Sequence, residues 1–182
     1  WVLSSWQIVV NRYPKLGEKV KIVTLPYELK VFLGYRNFAM LDEQGEYLAK
    51  ANSLWSLLDV GTGKPVMVNE AMHKGYEIDE KLDMEYAPRK IAVPEGGELL
   101  EPIVVKKHHL DTNHHVNNGQ YVNIAMEYLP DDFVIRQMRA EYKKQAFLED
   151  VLHPYVVQTE NGYIICLQDE EGRPYVSVEF LQ

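Results

Sequence analysis

The chain reads as an α+β protein of two successive antiparallel sheet units. Three features predict this: strand-like runs arrive in two meanders, one helix of apolar spacing stands ahead of the second, and a Pro- and Gly-containing charged span separates them. A helix laid against a curved sheet buries one stripe of the helix and one face of the sheet, a stable two-layer arrangement.

In the first half, residues 2–10 read as a strand already in full progress, so a missing N-terminal segment is expected. Strands are predicted over 19–25, 31–41 and 47–58, separated by the Pro14 to Gly17 turn and by Asp42-Glu43-Gln44-Gly45. Gly61, Gly63 and Pro65 close the meander, and a short helical piece follows near 69–74. Residues 77–98 carry Pro88, Pro94, Gly96 and Gly97 among many charges and read as a linker. The expected organisation is therefore an incomplete N-terminal unit over 1–76, a linker over 77–98 and a C-terminal unit over 99–182.

In the second half, residues 103–108 predict a strand and 117–129 a helix, with Tyr121, Ile124, Ala125, Tyr128 and Leu129 at helical spacing before Pro130 stops it. Strands over 133–147, 151–159, 163–168 and 175–180 complete a second meander, turning at Asn161-Gly162 and Glu171-Gly172. The halves echo each other, since Asp169-Glu170-Glu171-Gly172 repeats Asp42-Glu43-Gln44-Gly45 ahead of a strand. If they share a plan, the first unit lacks its own N-terminal strand and helix.

With 182 residues and 46% hydrophobic content, the chain can bury a sizeable core and is expected to be globular and soluble. No apolar run reaches the roughly 20 residues of a membrane span, and no secretory leader is visible. A net charge of -8 argues against general nucleic-acid binding. The single cysteine, Cys166, excludes an internal disulfide framework and fits a reducing cytoplasm.

Between the predicted strand and helix stands Asp111-Thr112-Asn113-His114-His115-Val116-Asn117-Asn118. Acid, amide and imidazole groups seldom collect in one turn only to hold a fold, because each must be hydrogen-bonded if covered. Asp111 can act as nucleophile or base, and Asn113 can position water or substrate. His115, an imidazole titrating ordinarily near ~6.5, can orient a carboxylate, bind a carbonyl or move a proton. Backbone N–H groups at Val116, Asn117 and Asn118 can face a developing oxyanion.

With Tyr121 behind it and Ala140-Glu141-Tyr142-Lys143-Lys144 after it, this run resembles the D-x-N-x-H-V-N-N-x-x-Y signature of the acyl-ACP thioesterase family. Weaker matches, Leu3-Ser4-Ser5-Trp6 and Ser53-Leu54-Trp55, extend the likeness through the first half. The resemblance implies a double, or tandem, hotdog fold and hydrolysis of the thioester between a fatty acyl chain and acyl carrier protein, ending elongation without a cofactor. It maps the family's Asp, Asn and His onto Asp111, Asn113 and His115. Where many plant members read R-R-E-C, this chain has Lys143-Lys144-Gln145-Ala146, so Gln145 stands at the catalytic Glu and Ala146 at the Cys. Gln145 can orient water but cannot take a proton as a carboxylate does. Glu141 is a fallback carboxylate, on the same strand face as Gln145 by alternation.

An acidic carrier protein requires local positive charge, for which Lys106, Lys107, Arg136, Arg139, Lys143 and Lys144 are the candidates, although a solvated strand face explains them equally. The acyl chain needs an apolar tunnel, which the family places in the first half. Trp6, Trp55 and Leu57 are candidate lining residues there, with Tyr121 as a further substrate contact or core residue. His108, His109 and His114 are expected to be solvated or hydrogen-bonded bystanders, and no metal site is expected, because no zinc-type spacing is present. An acyl-CoA thioesterase and a non-enzymatic acyl-binding regulator are the alternatives, and a homodimer is compatible with each.

Overall fold

The computed structural model describes all residues, Trp1–Gln182, and the chain divides into two compact units, Trp1–Arg89 and Lys90–Gln182. The 77–98 span therefore contributes to both, and it is packed against each sheet.

The first unit is an antiparallel sheet of β1 (Val2–Val10), β2 (Lys21–Lys30), β3 (Leu33–Leu41) and β4 (Tyr47–Ser56), in the order β2-β3-β4-β1, with one short helix, α1 (Glu70–Gly75), capped by Asn69. Strand β2 runs five residues past its expected end because the chain bulges between Pro26 and Glu28 and then resumes pairing with β3. Gln7, Asn52 and Asn37 lie opposite one another across β1, β4 and β3, and so share a face. That face is latched to residues 82–87. The Gln7 amide donates to Glu85 O and accepts from Ala87 N, while buried Asn37 accepts from Leu82 N and the Tyr86 hydroxyl. The opposite face is aromatic, with Trp6 and Phe38 rings 5.0 Å apart.

The second unit contains β5 (Glu98–Leu99), β6 (Ile103–Val104), a 3-10 turn (Lys107–His109), α2 (Asn118–Met126), β7 (Gln137–Tyr142), β8 (Val151–Thr159), β9 (Gly162–Gln168) and β10 (Pro174–Leu181). The strands are ordered β7-β10-β9-β8-β5, with β6 also on β8, and α2 lies against β9 and β10. Ile165, Leu167, Val176, Val178 and Phe180 are fully buried in facing register, and Tyr121, Ile124 and Ala125 are the buried stripe of α2. Ile91 packs with Val157 and Ile164, so the former linker supplies core to this unit.

Three elements of the second unit are shorter than the sequence predicts. β6 stops at Val104 because the chain winds into the 3-10 turn, where Lys106 N donates to His109 Nδ1 and His109 N to Lys106 O. β7 stops at Tyr142 because Lys143 N and Lys144 N converge on the single carbonyl of Tyr175, which takes the chain out of the ladder. Strand alternation therefore does not relate Glu141 to Gln145. α2 tightens into i→i−3 bonds over 127–129 before Pro130. At Asn161-Gly162 the glycine is required by space, since a Cβ there would lie 1.9 Å from the Phe180 carbonyl oxygen.

The echo between the halves extends to atoms. Asp42 and Asp169 each accept two backbone N–H bonds on Oδ1, from Gln44 and Glu46 in one turn and from Glu171 and Arg173 in the other. Gly45 (φ 87°) and Gly172 (φ 76°) supply the left-handed residue in each. Asp169 also accepts from Lys144 Nζ and Arg173 Nε, both at 3.0 Å. The Arg173 backbone N–H above all, with the Lys144 and Arg173 side chains, holds its carboxyl well below the usual carboxylate range. A carboxyl depressed on folding stabilises the fold above its unfolded value near ~4 and loses that contribution as pH falls through the folded value. The melting-temperature gap between the native chain and Asp169→Asn is therefore expected to narrow as pH is lowered from neutrality to below about 4. A gap unchanged across that range in thermal scans contradicts this role.

Candidate active site

The polar run forms a closed loop. Leu110 and Val116 make a bridge, Asp111 N donates to His115 O at 2.9 Å, and His114 N donates to Asp111 O at 3.1 Å. Asp111 Oδ1 accepts the Asn113 backbone N–H at 2.8 Å, which fixes the carboxylate over its own turn and leaves Oδ2 without a protein donor. His114 takes φ 62°, a left-handed conformation uncommon without glycine, which the tight closure imposes. Thr112, Asn113 and His114 are exposed, and Asp111 and His115 are half-buried.

Two neighbours fix the loop's exit. Asn117 caps α2, its Oδ1 accepting from Gly119 N, while its own N–H donates to His109 O at 2.9 Å. Burial, aided by His108 and Lys106, lowers the pKa of His109, consistent with Nδ1 serving as an acceptor. His109 is thus hydrogen-bonded within the fold beside the loop. Val116 N donates to Ala146 O at 2.9 Å. Of the three expected oxyanion donors, Val116 and Asn117 are therefore committed within the fold, and the N–H of Asn118 has no protein acceptor.

The bond to Ala146 O brings the 143–147 segment beside the loop. The His115 and Phe147 rings meet edge to face at 5.0 Å, a contact with no counterpart among the sequence expectations. Gln145 is exposed between Lys144 and buried Ala146. Tyr121 is buried within this unit, with burial pushing its hydroxyl up to about 12, and it accepts the Ala146 N–H at 2.8 Å. Glu141 is also buried, accepting from Ile91 N and lying 3.4 Å from Lys143 Nζ, so its carboxylate is occupied in holding the unit's first strap. Cys166 is buried in β9, its thiol pushed up by burial. Tyr142, within the quoted Ala140 to Lys144 run, donates its hydroxyl to Asn118 O.

The predicted docking cations divide into two kinds. Arg139 is paired with Glu179 at 2.8 Å and donates to Lys90 O, Lys143 lies by Glu141, and Lys144 binds Asp169 and sits 4.4 Å over the Tyr175 ring. Arg136 is exposed. Lys106 and Lys107 are exposed on the 3-10 turn beside the loop and form no ion pair.

In the first unit, Trp1, Pro26, Leu29, Phe38 and Trp55 line an apolar cavity of about 300 Å³ on the aromatic sheet face. Trp6 abuts it through Phe38, whereas Leu57 is buried outside the lining. Gly34 admits the Trp1 ring, which would lie 3.0 Å from a Cβ there.

Paired antiparallel sheet units, the second with its helix preceded by this polar loop, define a double-hotdog protein. The chain belongs to the acyl-ACP thioesterase family: residues 1–76 match the acyl-ACP thioesterase N-terminal domain and residues 96–174 the C-terminal domain. It is 28% identical to the chloroplastic acyl-acyl-carrier-protein hydrolase FATB1 of Cuphea viscosissima, covering 97% of this chain and 46% of that one. It is 25% identical to a chloroplastic palmitoyl-acyl carrier protein thioesterase of Arabidopsis thaliana, covering 87% and 41%. The chain thus spans about half the length of the curated relatives it matches. An acyl-ACP thioesterase from Bacteroides thetaiotaomicron superposes with a TM-score of 0.89 at 23% identity, covering 100% of this chain and 75% of that one. The 12:0-ACP thioesterase of Umbellularia californica gives 0.86 at 20% identity, covering 100% and 74%.

Because the Asn117 side chain is engaged as a cap, Asn117→Ala should lower unfolding stability by about 1 kcal/mol in urea titrations. An unchanged midpoint would show that α2 does not depend on this cap.

Proposed function

We propose that this protein hydrolyses the thioester of fatty acyl-acyl carrier protein, releasing free fatty acid and ending elongation. The observation that carries the proposal is the closed loop in front of α2, which gathers Asp111, Asn113 and His115 with an Asn118 N–H that has no acceptor in the fold.

A thioester carbon becomes tetrahedral when oxygen attacks it, and its carbonyl oxygen then carries negative charge. The Asn118 N–H, at the positive end of α2, is positioned to receive that charge. Asp111, with Oδ2 available, either attacks the carbonyl to form an anhydride that water then cleaves, or removes a proton from an attacking water. His115, oriented by Phe147, binds the carbonyl or carries the proton to the departing thiolate. In both routes water's oxygen ends in the fatty acid and the thiol leaves with a proton. Gln145, uncharged, serves as a donor and acceptor for water. The first unit's cavity, taken by itself, has the apolar lining that an acyl chain requires. A cytoplasmic location belongs to the same reading, supported by the free thiol of Cys166.

Asp111→Asn and His115→Ala should each reduce thiol release from acyl-acyl carrier protein by about 100-fold or more while melting within a few degrees of the native protein. Native turnover in both variants rejects the site. Docking of an acidic carrier should rest on Lys106 and Lys107, because reversing Lys143 or Lys144 would set a carboxylate against Glu141 or Asp169. Lys106→Glu with Lys107→Glu is expected to raise KM for the protein-linked substrate several-fold more than for the matched acyl-CoA. Equal effects on both substrates eliminate this surface.

A further inference from the structure

Both polar ends of Ala146 are held. Its N–H donates to the Tyr121 hydroxyl at 2.8 Å and its carbonyl accepts from Val116 N at 2.9 Å. On the far side, Phe147 N donates to Asp150 Oδ2 at 2.9 Å and Asp150 N to Phe147 O at 3.1 Å. On the near side, Lys143 N and Lys144 N share Tyr175 O, and Lys144 Nζ is anchored to Asp169. Within residues 143–147, Gln145 alone has neither a backbone nor a side-chain hydrogen bond, and its side chain is exposed. The segment is therefore built as a frame around one presented side chain, and the Ala146 N–H pinned by Tyr121 belongs to the peptide that Gln145 itself begins.

Tyr121 reaches that peptide from α2, whose first residue, Asn118, offers the unoccupied N–H and is held through its carbonyl by the Tyr142 hydroxyl at 3.1 Å. The Tyr121 and Tyr142 rings lie 6.2 Å apart. One buried phenol thus ties the helix start to the Gln145 segment, while the Val116 bond ties that segment to the loop bearing Asp111 and His115.

We infer that Tyr121 is a positioning residue: its hydroxyl, by holding the Ala146 N–H, sets where Gln145 stands relative to the Asp111–His115 loop. The inference rests on the proposed hydrolase activity and adds a residue that does not touch substrate. A core aromatic would need no hydroxyl here, and the bond to a buried backbone N–H is what distinguishes the two roles.

The test is a double-mutant cycle in the full-length protein with Tyr121→Phe and Gln145→Ala, read as kcat and KM for acyl-acyl carrier protein, together with amide hydrogen exchange at Ala146. Tyr121→Phe should lower kcat by about 10- to 100-fold with little change in KM, as expected for a misplaced catalytic group. It should also accelerate exchange at Ala146 and have little further effect on kcat once Gln145 is alanine. Equal kcat losses in both backgrounds, or an unaltered Ala146 exchange rate, overturn the inference. If the native protein releases no thiol from any acyl thioester, the hydrolase reading falls and the positioning role falls with it, whereas the exchange measurement still decides whether the Tyr121 clamp exists.

Discussion

The second unit depends on a backbone contact of one residue pair: Val116 N–H donating to Ala146 O. It joins two segments that no strand ladder pairs, the loop that closes at Val116 and the chain leaving β7. A buried backbone group left unpaired costs about 1–3 kcal/mol, so both segments are committed to this geometry. The edge-to-face stacking of His115 on Phe147 and the Tyr121 clamp are secondary consequences of the same approach.

The first unit follows a different logic. One sheet face is closed by polar latches from Gln7 and Asn37 to residues 82–87, with Trp6 and Phe38 turned to the other. Buried amides are tolerable there because each finds backbone partners, and in exchange they fix which face is covered. The apolar cavity lies on the face that the latches leave alone. The same alternation that places Gln7 on one side places Trp6 on the other, so a sequence period of two separates the latched face from the face that bears the cavity.

Much of this was legible in the sequence. The limits of β1 and β8 coincide with the expected 2–10 and 151–159, because alternation and flanking turns are local signals. The Asp–Gly turns were legible as a repeat, and the polar run lies between a strand and α2 as its flanking patterns predicted. What escaped was set by particular hydrogen-bond partners, near and distant, that no periodic pattern reports. The ends of β6 and β7 depend on the ring of His109 and the carbonyl of Tyr175. The occupation of the Val116 and Asn117 N–H groups depends on Ala146 and His109, and the neutralisation of Lys144 on Asp169, 25 residues away. Phe147 carried no sequence signal, since an exposed aromatic after a strand has many uses.

The direct test of the central claim is a crystal structure of the full-length protein with an acyl-pantetheine analogue in which a ketone replaces the thioester. The carbonyl oxygen should lie within about 3 Å of the Asn118 N–H or the His115 ring, with Asp111 beside the carbonyl carbon. An analogue bound with its carbonyl away from the 111–118 loop would contradict the account.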